Sequence, residues 1–247
     1  MSQPSQDTAP LAHQADPMSG PRPRLLVFDV NETLSDMCSM ADRFADIGAP
    51  PFLAAAWFAA VLRDGFALTV NGANPDFADL ARAGLAAALA TQPVEHLDDA
   101  VDQLMTAFAS LPAHSDVVEG IADLAATGVR LVTFSNGSAA IAEGLLQRNG
   151  IDHHFERLLS VQDAPAWKPA ESAYQYALNV CDVDATDALL VAVHPWDLHG
   201  AKAAGLTTAY LNRKGATYPN YFSRPDIEVG SLAQLAELLT AAERSPD

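Results

Sequence analysis

The feature that most constrains this chain is a set of short, unbroken apolar runs separated by amphipathic stretches. Leu25-Leu26-Val27-Phe28 is the first, and it ends on Asp29; Val129 to Phe134, Ala188 to Val193 and Leu206 to Leu211 follow. A run too short for a typical helix and apolar at every position suits a strand covered on both faces, as in a parallel sheet. Helical periodicity fills the gaps at about 118–127, 138–149, 170–180 and 231–243. Ser115, Ser138 and Ser231 are the expected N-caps, and Asn149-Gly150 an expected helix stop. This alternation predicts an α/β fold on a doubly wound, mainly parallel, Rossmann-like sheet.

Residues 36–111 break the alternation. They read as helix after helix, with Pro50-Pro51 opening one and Asn74-Pro75 another. A block of helices between the first two strands predicts an inserted helical cap domain over the carboxyl ends of the strands, where such folds bind ligands. The core domain is then expected from 23–35 and 112–247. Residues 1–22, rich in Pro, Ser, Gln and Ala and without the apolar core of a signal peptide, are expected to form a disordered tail, with Met18 a second candidate start. No apolar stretch is expected to reach the length of a membrane span.

Charge narrows the partners. Fourteen Lys and Arg stand against 31 Asp and Glu, a formal net charge of −17. That balance argues against nucleic acid and against an anionic membrane surface. A small anionic substrate has to be drawn in by local positive charge, because the global field repels it. The two cysteines, Cys38 and Cys181, lie far apart in no metal or redox spacing, which suits idle thiols in a reducing, cytoplasmic setting.

The residues with chemical potential sit at the strand ends. Asp29, with Thr33 four residues on, is a costly place for a charge unless backbone N–H groups and a cation hold it ionised. The plainer reading is an Asp capping a turn. Thr133-Phe134-Ser135-Asn136-Gly137-Ser138 brings hydroxyl and amide donors to a helix start, a ready anion site, or merely a cap and a turn. Trp167-Lys168-Pro169, with Tyr174 after it, offers a cation, although most lysines are solvated. Val193-His194-Pro195-Trp196-Asp197 closes the next strand with an imidazole and an acid.

Strand-Asp, strand-Ser, Lys-Pro and strand-Asp, in that order, resemble the four motifs of the haloacid dehalogenase-like superfamily. The details look like its type II 2-haloacid dehalogenases. The resemblance implies hydrolytic dehalogenation of short 2-haloalkanoic acids without metal or cofactor, with Asp29 as nucleophile and an aspartyl ester as intermediate. It implies that Thr33 orients Asp29, that Lys168 keeps it ionised with Tyr174 nearby, and that Asp197 orients the lysine. Ser135 and loop amides near Val30 and Asn31 match the site of the substrate carboxylate. Asn136, Phe77 and Trp196 match residues around the departing halide. Relatives with this cap often pair through it, which makes a homodimer one candidate and leaves the oligomeric state open.

Several positions depart from that pattern. A tyrosine is usual at Asn31 and a glycine at Glu32. The cap arginine that polarises the halide aligns with Phe58, and Arg63 lies five residues along on another helix face. His194 stands where an asparagine is usual. It is a candidate general base for ester hydrolysis, or a halide donor when protonated; its plainer reading is a strand-end histidine bonded to backbone. His153, His154 and His199 read as solvated or structural. Two alternatives follow: a phosphatase or other hydrolase on the same scaffold, and a non-catalytic relative. Asn31 stands where phosphatases place a general-acid aspartate, which weighs against the first.

Overall fold

The computed structural model describes residues 22–243. The tail expected over 1–22, Met18 included, lies outside the described residues except for Arg22, which donates to the Thr127 carbonyl. Six parallel strands form one sheet: β1 (Leu25–Phe28), β2 (Arg130–Ser135), β3 (Arg157–Ser160), β4 (Ala188–Ala192), β5 (Thr207–Leu211) and β6 (Ile227–Val229). Their spatial order is β3-β2-β1-β4-β5-β6. The order reverses between β1 and β4, so the crevice at their carboxyl ends is the switch point of a doubly wound sheet.

The continuous apolar runs have a direct cause. Leu25 and Val27 join one buried cluster, Leu26 and Phe28 the other, so both faces of β1 are covered. Complete burial of each such side chain is worth roughly 1.5–3 kcal/mol. Helices α5 (Val117–Ala126), α6 (Ala139–Arg148) and α9 (Leu232–Glu243) contribute to the second cluster, α7 (Glu171–Cys181) and α8 (Pro195–Ala203) to the first.

Between β1 and α5 come the four α-helices of the insert: α1 (Met40–Asp46), α2 (Leu53–Val70), α3 (Phe77–Leu89) and α4 (Leu97–Ala109). The chain enters and leaves this insert through a narrow neck. Ser35 and Ala113 form an antiparallel bridge, Asp36 N–H donates to the Pro112 carbonyl at 2.7 Å, and His114 N–H donates to Leu34 at 3.0 Å. The insert's core of Phe44, Trp57, Phe58, Phe77, Leu85, Leu104 and Phe108 runs on into the first sheet cluster through Trp167.

Some expectations need correction. Strands β3 and β6 carry no long apolar run, and the sequence did not reveal them. Ser115 does not cap α5: the helix starts after Asp116, whose carboxylate instead accepts from Leu232 N–H at 3.1 Å at the start of α9. Ser138 does cap α6, accepting from Ile141 N–H, and Gly150 takes the left-handed φ of 67° that ends it. Contrary to the expectation for apolar stretches, α2 is long and apolar enough, by length and composition, to cross a membrane. Trp57, Phe58, Val61 and Gly65 form one buried stripe along the helix, and Arg63 and Asp64 sit on the exposed side.

Candidate active site

Asp29 follows directly on β1, one residue past the sheet register, and its side chain is 5% exposed. Three donors reach it. Lys168 Nζ lies 2.9 Å from Oδ1. Thr33 Oγ1 donates to Oδ2 at 2.8 Å, and His194 Nδ1 stands 3.1 Å from the same oxygen. Burial alone would raise the Asp29 pKa; the Lys168 ammonium, and after it His194, hold this carboxyl well below the usual carboxylate range. A carboxylate has about four lone-pair positions. Oδ2 has two donors and Oδ1 one, so the remaining free lone pair is on Oδ1.

Lys168 is wholly buried. Its ammonium bridges Asp29 to Asp197 Oδ2 at 2.6 Å and donates to the Phe134 carbonyl at 2.8 Å, which uses all three protons. Burial would lower its pKa, but Asp197 and Asp29 raise it above the ordinary lysine value. Its backbone is clamped as well. Asn136 accepts from Lys168 N–H at 3.0 Å and donates to the Lys168 carbonyl at 3.1 Å. Asn136 therefore fixes the lysine, whatever else it touches.

Asp197, on the first turn of α8, accepts from the Tyr174 hydroxyl at 2.7 Å. Burial, with Asp29 adding to it, raises the Asp197 pKa while Lys168 opposes. Environment thus pushes the two carboxylates that share one lysine apart, with Asp29 the more acidic. Burial and Asp197 likewise push the Tyr174 phenol well above its ordinary value. Gly200 makes this contact possible: a Cβ there would lie 2.6 Å from Pro169 Cβ and 2.8 Å from the Tyr174 hydroxyl.

His194 caps the start of α8 and is half-buried. Its second nitrogen, Nε2, meets Glu32 Oε2 at 2.8 Å. Burial by itself would lower the His194 pKa, but the bonds to Asp29 and Glu32 overturn that and push it up to about 9. At neutral pH the ring is an imidazolium held between two carboxylates. Trp196 stacks on it with centroids 5.1 Å apart, and Phe58 lies at 6.5 Å.

The remaining candidates divide into two groups. Ser135 Oγ accepts from Gly137 N–H at 2.9 Å, and the Asn31 amide lies against the same glycine, so these two converge beside Asp29 and Val30. Phe77 is stacked between Trp167 and Phe108 and contacts Phe58, which places it in the ceiling of the site. Arg63 is apart, paired with Asp64 at the surface. His153 and His154 occupy a short 3-10 turn, and His199 faces Ser223. Among the described residues no cluster of three or more His, Cys, Asp or Glu side chains has the arrangement to hold a metal ion. The Lys168 ammonium occupies the position between the two carboxylates.

Three residues of the site escaped the sequence reading. Glu32 was noted only as a replaced glycine. His114 holds the Glu32 carbonyl at 2.9 Å, and Arg213 donates to the Thr33 carbonyl at 2.8 Å while pairing with Asp116 at 2.9 Å. The departure from glycine was the one available signal: position 32 has φ 61°, the left-handed region that favours glycine.

The chain is similar to known dehalogenases in sequence and in fold. (S)-2-haloacid dehalogenase 1 of Pseudomonas sp. (strain CBS-3) is 28% identical over 218 residues, covering 87% of this chain and 96% of the relative. A crystal structure of a dehalogenase with intermediate complex is 30% identical and superposes with a TM-score of 0.82 over 88% of this chain and 97% of that one. The L-2-haloacid dehalogenase of Xanthobacter autotrophicus, 24% identical, shares the fold with a TM-score of 0.76 over 88% of this chain and 98% of that one. The family model for haloacid dehalogenase-like hydrolases matches residues 23–205, well over half of the sequence and the whole stretch that supplies Asp29, Lys168 and Asp197. A match of that extent establishes membership: this chain is a haloacid dehalogenase-like hydrolase.

Proposed function

We propose that the protein is a hydrolytic dehalogenase of 2-haloalkanoic acids, working through an ester on Asp29. The observation that carries this reading is the Lys168 ammonium seated between Asp29 and Asp197, beside a loop whose residue 31 is asparagine. The lysine keeps the nucleophile anionic, and a halide needs no general acid to leave. Asp29 Oδ1 attacks C2 opposite the carbon–halogen bond, the halide departs with its electron pair, and C2 inverts. Water then adds to the ester carbonyl carbon of Asp29, the bond from that carbon to the original Oδ1 breaks, and the 2-hydroxy acid leaves with that oxygen as Asp29 is regenerated as a carboxylate. The products are a 2-hydroxy acid, a halide and a proton. Ser135 and the Val30–Asn31 amides receive the substrate carboxylate, while Phe58, Phe77, Asn136 and Trp196 surround the halide.

His194 has a role in each half. Before attack it is a second cation at Asp29, on the side where relatives carry an arginine in place of Phe58. Once Asp29 is esterified its charge disappears, and one of the two anions that hold the His194 proton is lost. The His194 pKa falls, and the ring becomes a base for the attacking water, oriented by Glu32. The free thiols Cys38 and Cys181 accord with a reducing, cytoplasmic setting for this chemistry.

The test is metal-free halide release from bromoacetate and 2-chloropropionate, with Asp29→Asn beside the parent. The parent should release halide and acquire the mass of an acyl adduct at Asp29 in single turnover, and the variant should lose at least about 10³-fold. Halide release by Asp29→Asn at the parent rate, or Mg²⁺-dependent hydrolysis of an aryl phosphate in its place, would refute the reading.

A further inference from the structure

Between α2 and the carboxyl edge of β4 and β5 lies a cavity of about 750 Å³. Glu32 and His194 line it on the side toward Asp29, and the exposed Lys214 lines it on the outer side. The walls between are mostly apolar, with Met37, Ala55, Phe58, Ala59, Leu62 and Leu211, and the polar Asp36, His114, Asn212 and Arg213 interrupt them. Asn31, Ser135, Phe77 and Trp196 take no part in it. It is therefore a separate space from the carboxylate pocket, in contact with it through His194 and Phe58. At roughly 30 Å³ per water molecule its volume equals on the order of 25 waters, far more than a two- or three-carbon acid displaces. Cavities of about this size hold ligands many atoms larger.

Resting on the dehalogenase reading above, we propose that this cavity receives the alkyl chain of the substrate, so that the preferred substrates are 2-haloalkanoic acids of medium chain length. The geometry at C2 leaves the chain little alternative. The carboxylate goes to Ser135 and the loop amides, and the halide lies in line with Asp29 Oδ1. The remaining substituent leaves past His194 and Phe58, where the cavity begins. An arginine at position 58 would add a further charge at that entrance; phenylalanine supplies an apolar wall there, opposite the Glu32–His194 pair. Ala55 and Ala59, one turn apart on α2 and both exposed, keep the space open. A larger residue at either position would close it without disturbing the buried stripe of the helix.

The test is a chain-length series, with halide release measured from bromoacetate, 2-bromopropionate, 2-bromohexanoate and 2-bromooctanoate. In the parent, kcat/KM should rise by up to about four-fold per added methylene until the cavity is full. Ala55→Leu and Ala59→Leu should each cut the ratio of hexanoate to propionate rates by about ten-fold. Inhibition of the parent by unhalogenated hexanoate against propionate reads the same preference without a variant. A flat or falling chain profile, or a ratio unmoved in both variants, overturns the proposal while leaving the dehalogenase reading in place. Halide release from none of the acids overturns that reading, and this proposal with it.

Discussion

Left-handed backbone at a residue with a side chain costs roughly 1–2 kcal/mol, and Glu32 adopts it at φ 61°. In return its carboxylate stands 2.8 Å from His194 Nε2, which a glycine could not supply. The two departures at 32 and 194 are thus one device, a pair that keeps an imidazolium on Asp29. Glu32→Gln removes the charge and keeps the backbone, so the His194 pKa should fall below its value of about 9. A pH profile of kcat/KM, which reports the free enzyme, should show its alkaline decline moved to lower pH; an unmoved limb would exclude the pairing. Stability carries the same sign. A group whose folded pKa is raised contributes fully below its unfolded value of about 6.5 and loses that contribution as pH rises toward about 9. The parent should therefore lose melting temperature across that window, and His194→Gln should lose less. Asp29, Ser135 and Asp197 were legible because strand ends in a parallel sheet face the ligand, and Lys168 because an adjoining motif fixed it. Glu32, His114 and Arg213 were not legible, because their partners lie 162, 82 and 180 residues away.

Helices and strands were legible in proportion to their length and burial. Strand β1 announced itself because both of its faces are covered, whereas β6 alternates buried and exposed over three residues at the sheet edge. Asp116, adjacent to the expected cap Ser115, is committed to α9 and Arg213, a tertiary demand that no local pattern reveals. The insert's attachment was equally hidden. Gly65 of α2 lies against the Trp167 ring, and a Cβ at that glycine would run into the indole. Gly65→Ala should destabilise by about 1–3 kcal/mol through overpacking, read as a lowered denaturation midpoint. Gly144→Ala in α6 is the contrast. The atom nearest its Cβ is the end of the flexible Arg148 side chain at 3.1 Å, so helix propensity should win and stabilise by up to about 1 kcal/mol. Equal effects at the two glycines would refute the packing account of the α2–Trp167 contact.

The whole molecule opposes its own substrate. A net charge of −17 repels a carboxylate at long range, and the site itself holds three carboxylates, Asp29, Glu32 and Asp197, against two cations, Lys168 and His194. On the dehalogenase reading, attraction for the substrate then has to come from dipoles at short range: the loop amides after β1 and the N-terminus of α6 behind Ser135. Salt separates the two ranges. Raising ionic strength from about 10 mM to about 150 mM shortens the Debye length from about 30 Å to about 8 Å, which screens the distant charges and leaves contact hydrogen bonds nearly intact. The kcat/KM for a haloacid should then rise with salt, by about two-fold or more, when sodium sulfate is used so that no added halide competes at the product site. A protein that guides anions by a positive surface gives the opposite slope. A fall in kcat/KM over this range would mean that cations such as Lys214 and Arg213 at the cavity govern approach, and that the substrate is captured by charge before the amides reach it.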